Sequence, residues 1–271
     1  MSSEWIECTN EEYHQRPEIG RSQLETFITR GPVAYLKSLT EKREPTDAMV
    51  MGTIIHAMVL EHKSLDDVAI VESTGLKTRQ SKAWDAFAAG ALSLGRFPLL
   101  EKQVDPIVQA VASILNNPGF DEQISGTKRE QSLVWRDRSG LDLRCRFDAV
   151  DATTALDVKT TSGAIDEETL AKVIAEWGYD RQAAFYSKGY YEHFGYMPSF
   201  VFAFVQTCEP YESALIRPSP RFFDIAMAEV DEGLADLAAR MATGNWRRNT
   251  YGKVIEVEPP RWRAYRNEYT A

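Results

Sequence analysis

Asp148 and Asp157 flank a short polar turn, Asp151-Ala152-Thr153-Thr154, and Lys159 follows the second of them by two residues. If the strands on either side pair so that Val150 faces Ala155, then Asp148 faces Asp157. Side chains alternate along a strand, so Arg144, Arg146 and Asp148 share one face with Asp157 and Lys159. Leu143, Cys145, Phe147 and Ala149 share the other with Leu156 and Val158. Directly opposed Cβ atoms lie ~4.5–5.5 Å apart, where two carboxylates repel unless positive charge sits between them. A divalent ion supplies that charge. Magnesium favours oxygen ligands, polarises a phosphoryl oxygen and lowers the pKa of an attacking water. Lys159 beside it would orient that water or offset charge in the transition state. The plainer alternative is the solvated face of an ordinary hairpin carrying weak surface ion pairs.

The elements that must position these residues follow from periodicity. Gln131–Arg136, Asp142–Val150 and Ala155–Thr160 read as three strands of a meander, with strands again at 199–207 and 213–217. Helices are expected from Ser22 as N-cap with Glu25 completing a capping box, over 51–61, 81–92, 106–116, 166–176 and 179–194, and over 220–241. The stretch 62–80 reads as loop, and Asn117-Pro118-Gly119 as a helix stop. This order predicts an α+β (mixed α/β) fold with a central mixed sheet flanked by helices. One domain over 1–271 is expected: mostly helical over 20–120, sheet-bearing over 128–220, with a C-terminal helix over 220–242 and a tail.

With 271 residues and 44% hydrophobic content the chain can bury a full core. The net charge of -9 speaks against nucleic-acid binding by bulk attraction, so any DNA contact must be local. Carboxylates that hold a cation count as negative in such a sum. The three cysteines, Cys8, Cys145 and Cys208, are too scattered for a disulfide framework or zinc knuckle. With a polar, acidic N-terminus and no long apolar run, the expectation is a cytoplasmic protein. Neither G-x-S-x-G, G-x-G-x-x-G nor G-x-x-x-x-G-K-[ST] occurs, which removes the hydrolase, dinucleotide and P-loop readings those motifs carry.

Asp148, an eight-residue gap and Asp157-Val158-Lys159-Thr160-Thr161 resemble the D…(D/E)XK core of the PD-(D/E)XK nucleases. His56 within Met51-Gly52-Thr-Ile-Ile-His56-Ala-Met-Val-Leu-Glu61, followed by that core and by Gln182-Ala-Ala-Phe-Tyr186, is similar to the RecB-like branch. Within it, Ser22-Gln-Leu-Glu, Gly31-Pro32-Val-Ala-Tyr35 and Leu156-Asp-Val-Lys-Thr-Thr161 resemble the exodeoxyribonuclease VIII (RecE) nuclease domains. The resemblance covers roughly residues 20–220. It departs from the family pattern in having Asp157 where Glu is commoner, and no Pro-Asp dipeptide at the first Asp.

The resemblance implies that Asp148, Asp157, His56 and the Val158 carbonyl bind magnesium, with manganese able to substitute, and that Lys159 is catalytic. It implies an exonuclease degrading one strand of linear duplex DNA from an end, 5′ to 3′, in phage-type recombination. A single-strand annealing recombinase would be its partner, and a homo-oligomeric ring of three or four chains its assembly. The alternatives are an endonuclease on the same core and a DNA-end binding or assembly protein without activity. A related iron-sulfur nuclease would need four clustered cysteines.

Several residues keep two readings. His56, taken alone, reads as a core histidine. Gln182 and Tyr186 share a helix face with Tyr179 and Tyr190. They form either an aromatic packing stripe or, by the resemblance, a contact to DNA or a support for Lys159. Glu130 is either a further carboxylate of the site or a surface glutamate. Glu61 lies ~140° round the helix from His56 and cannot share its ion. Arg144 and Arg146 could hold phosphate or neutralise the aspartates. Arg261-Trp262-Arg263-Ala264-Tyr265-Arg266 could touch DNA or anchor the C-terminus.

Overall fold

The computed structural model describes residues 3–41 and 45–259; the basic-aromatic stretch 261–266 lies outside them. The N-terminal half runs β1 (Ser3–Ile6), α1 (Asn10–Gln15), β2 (Ile19–Gly20), α2 (Arg21–Arg30), α3 (Pro32–Ser38), α4 (Asp47–Leu60), α5 (Leu65–Val68), β3 (Ala69–Val71), α6 (Lys82–Ser93), β4 (Phe97–Leu99), α7 (Val104–Leu115) and α8 (Pro118–Ile124). There follow β5 (Lys128–Arg136), β6 (Asp142–Val150), β7 (Thr154–Thr161), α9 (Glu167–Glu176), α10 (Tyr179–Phe194), β8 (Ser199–Gln206), β9 (Ser213–Ile216) and α11 (Pro220–Thr243).

Seven strands form one mixed sheet in the order β1-β5-β6-β7-β8-β9, with the two-residue β2 beside β6. β7 and β8 are parallel, joined through α9 and α10, while β5, β6 and β7 form the expected antiparallel meander. Both faces of the sheet are covered. On one, α2, α10 and α11 enclose Leu24, Phe147, Phe185, Tyr190, Phe202 and Leu234; on the other, α4, α7 and α8 enclose Ile54, Ile55, Ile107, Ala149, Val158 and Val205. Two-sided burial explains the run Phe200-Val-Phe-Ala-Phe-Val205 in β8, which is apolar at successive positions instead of alternating. Among the described residues no helix is long and apolar enough to cross a membrane.

Several boundaries depart from expectation for local reasons. Gly20, not Ser22, caps α2, and its N–H donates to Gln23 Oε1 at 2.7 Å. Asn117 does not simply stop a helix: its Oδ1 accepts from Gly119 N–H, which starts α8. The stretch read as loop holds α5 and β3, the latter a three-residue strand paired to β4 and too short for a periodic signal. The N-terminal strand β1 also escaped, since its pairing with β5 is set by tertiary contact.

Gly189 fixes how closely α10 lies on the sheet, because an added Cβ would come 2.8 Å from Trp135 Cζ3. Gly189→Val is therefore expected to cost ~1–3 kcal/mol by overpacking, read as a lower urea midpoint at unchanged slope. A wild-type midpoint would show that α10 can lift off Trp135 freely.

Candidate metal centre

The site forms where β6 and β7 part. Val150 pairs with Ala155 and Ala149 with Leu156, the expected register, but the ladder then ends. Beyond it the Asp148 carboxylate fills the gap, its Oδ2 accepting from Val158 N–H at 2.7 Å. On the other side of β6, pairing with β5 skips one position, Glu130 opposite Asp148. Glu130 holds φ 51, a conformation uncommon for a residue with a side chain. The pleat breaks there: Phe147 enters the core against α10, whereas Ala149 enters the core against α4. This corrects the simple alternation, in which Phe147 and Ala149 share a face and one whole face is charged.

Three donor atoms converge at this break: one each from His56, Glu130 and Asp148 lie within 4.8 Å of one another. His56 comes from α4, whose apolar turns (Ile54, Ile55, Val59) pack against β7. Its Nε2 donates to the Val158 carbonyl at 2.8 Å, which leaves Nδ1 facing Asp148 Oδ2 at 3.4 Å. The His56 ring and the Val158 carbonyl, both implied as ligands, are thus hydrogen-bonded to each other through Nε2. Glu130 is held by Arg146, whose Nε donates to Oε2 at 2.7 Å. Of the two readings for Glu130, the geometry favours the one that puts it at the site, and its left-handed backbone is a signal that sequence alone does not display.

Asp157 is 3% exposed, on the α10 side of β7. Its Oδ1 accepts from Gln182 Nε2 at 2.5 Å, and its Oδ2 pairs with Lys159 Nζ. Gln182 therefore holds Asp157, the partner of Lys159, from α10, and of its readings this lies closest to a support for Lys159. The Lys159 ammonium sits 4.8 Å from the Tyr179 ring centroid, a cation–π contact that also shields it from water. Tyr186 follows the packing reading, with its ring against Phe147, Phe185 and Phe200 and burial pushing its hydroxyl pKa far upward. Tyr190 is likewise core, its hydroxyl donating to the Asp151 carbonyl. Glu61 is exposed and paired with Lys63, away from His56. Arg144 lies over Tyr13 and donates to the Arg16 carbonyl, so of the two arginines only Arg146 reaches a carboxylate of the site.

Burial raises the Asp148 pKa to about 7; His56 opposes the shift and Asp157 adds to it. His56, Glu130 and the buried Asp148 form an oxygen-rich donor set of the kind that suits magnesium or manganese, and the set fits such an ion; Asp157 is not one of the three converging donors, its oxygens being held by Gln182 and Lys159.

A profile of the PDDEXK-like domain of unknown function (DUF3799) matches residues 21–251, most of the chain. Among solved structures, the chain is similar to a presumed exonuclease from Eubacterium rectale, at 14% identity and a TM-score of 0.66. That match covers 98% of this chain and 99% of the other. No curated protein matches the sequence.

Proposed function

The chain belongs to the PDDEXK-like domain family DUF3799, and from that premise we propose that it is a metal-dependent exodeoxyribonuclease degrading one strand of linear duplex DNA from an end. The observation that carries the proposal is the meeting of Asp148, Glu130 and His56 at the β6–β7 gap, with Asp157 and Lys159 on the next strand. The shared fold with a presumed exonuclease supports it. The order of the motifs from Ser22 to Tyr186 supports the finer affinity with exodeoxyribonuclease VIII and, with it, 5′ to 3′ polarity and work beside an annealing recombinase.

Asp148, Asp157, His56, Glu130 and the Val158 carbonyl would hold magnesium or manganese, which when bound supplies Lewis-acid polarisation of the phosphate and a more acidic water. The chain does the rest. Gln182 and Lys159 fix the Asp157 carboxylate in one orientation. His56 ties α4 to β7 through the Val158 carbonyl. Lys159, lying against Tyr179, offers an ammonium to the oxygen that gains charge as the phosphodiester opens. Replacing Lys159 by Ala is accordingly expected to lower kcat on the order of 10²–10³-fold. Divalent-ion affinity should be unchanged or tighter, because a positive neighbour is removed. Calorimetric metal titration beside single-turnover digestion separates these effects, and lost metal binding with intact turnover would reassign the lysine.

A chain at -9 needs a confined path lined by local cations to hold DNA productively. A closed homo-oligomer of three or four chains gives such a path and must be threaded from an end. End-labelled linear duplex should therefore be digested in magnesium and spared in EDTA, while covalently closed circles survive. Rapid cutting of relaxed closed circles would make the protein an endonuclease. Retention of DNA ends with no digestion in magnesium or manganese would make it a binding protein, and monomers alone in sedimentation would remove the ring.

A further inference from the structure

We infer that Trp177 is a stacking platform for a nucleobase of the cleaved strand, setting the position of the phosphodiester presented to Lys159; this rests on the reading of the protein as a deoxyribonuclease. Of the five tryptophans among the described residues, Trp84 and Trp135 are buried, Trp5 packs on Phe147 and His193, and Trp246 stacks on Tyr35. Trp177 alone is exposed, at 61%, with no aromatic neighbour among the described residues. A single exposed apolar side chain is ordinary in itself. Its place and its rigidity are what give this one a role.

Trp177 and Gly178 form the joint between α9 and α10, where Gly178 adopts φ 63. Arg21, at the start of α2, donates from Nη2 to both the Trp177 and the Gly178 carbonyls at 2.7 Å. Arg181 locks the first turn of α10 by bonding Glu25 on α2 and Glu229 on α11. The indole therefore projects from a backbone fixed on three helices. The next residue after the joint is Tyr179, whose ring lies against the Lys159 ammonium.

Two peptide units separate the Trp177 and Tyr179 Cα atoms, at most ~7.6 Å. Phosphates of one strand step ~3.4 Å along a duplex axis, so the backbone that carries the indole stands only a few nucleotide steps from the tyrosine whose ring holds Lys159. Stacking also suits this chain chemically. It draws on no net positive charge, which a protein at -9 lacks, and it accepts every base, as an enzyme moving along a strand requires.

The test compares wild type, Trp177→Ala and Trp177→Phe on linear duplex in magnesium, with and without one abasic nucleotide in the digested strand. Trp177→Ala should raise KM ~10-fold with kcat within about twofold, and Trp177→Phe should recover most of the loss. Wild type should pause near the abasic position, where no base can stack, and Trp177→Ala should pass it without added delay. A merely structural tryptophan would not confer that base dependence. Wild-type KM in Trp177→Ala, or equal pausing in both proteins, overturns the inference and leaves the nuclease reading intact. Absence of any digestion by wild type in magnesium or manganese overturns both.

Discussion

Asp157→Asn is expected to reduce digestion of linear duplex DNA on the order of 10³-fold while the protein remains folded and binds DNA. The carboxylate is 3% exposed and both its oxygens are engaged, Oδ1 with Gln182 and Oδ2 with Lys159. An asparagine fills the same volume and keeps an acceptor for Gln182. It then turns an amide N–H₂ towards the Lys159 ammonium, donor against donor, so the lysine loses its partner and the site loses a negative charge. Either change alone lowers turnover, and together they remove the electrostatics that phosphodiester cleavage needs. Single-turnover digestion gives the rate, circular dichroism reports the fold and a mobility shift reports DNA retention. Near wild-type cutting by this variant would place the reaction elsewhere in the molecule.

Asp148, Asp157 and Lys159 are legible in the sequence because they sit on the part of the chain with the strongest local pattern, whereas His56 on α4 is reached only through the family resemblance. A polar turn between two strands sets the register of its neighbours, and Val150 does face Ala155. That local rule fails at Asp148 itself, since the ladder has ended and Glu130 breaks the pleat from the adjoining strand. Alternation cannot foresee a left-handed glutamate, whose cost must be met by contacts from distant residues, here Arg146 and the site. Gln182 shows a second limit. Its four-residue spacing from Tyr186 gave the shared helix face correctly, but not that one would bond Asp157 and the other pack against Phe147. Helical periodicity orients a face; which residue on that face meets a carboxylate depends on where the helix crosses the sheet, and here Gly189 lets α10 come close to Trp135. Short strands such as β1 and β3 carry too few residues for any period and exist through their partners.

Asp148→Asn is expected to destroy cleavage and yet to stabilise the metal-free protein above neutral pH. Asp148 is 9% exposed, and its burial raises its pKa from the ordinary 3.8 to about 7. Between those values the folded protein binds a proton that the unfolded chain releases, so stability falls as pH rises from about 4 to 7 and the loss is complete above 7. An asparagine never carries that charge, and its carbonyl oxygen can still accept from Val158 N–H, the bond that holds the gap between β6 and β7. In EDTA the two proteins should therefore melt alike near pH 4, whereas at pH 8 the variant should be more stable, on the order of 2–4 kcal/mol. Magnesium should then raise the melting temperature of wild type and do little for the variant, because only the folded site with its carboxylate binds the ion. Scanning calorimetry of both proteins across this pH range, with EDTA and with magnesium, measures each of these differences. A variant less stable than wild type at pH 8 in EDTA would show that the Asp148 carboxylate is held by its surroundings as an anion. The gap would then be preorganised by the protein's own charges, not completed by a bound ion.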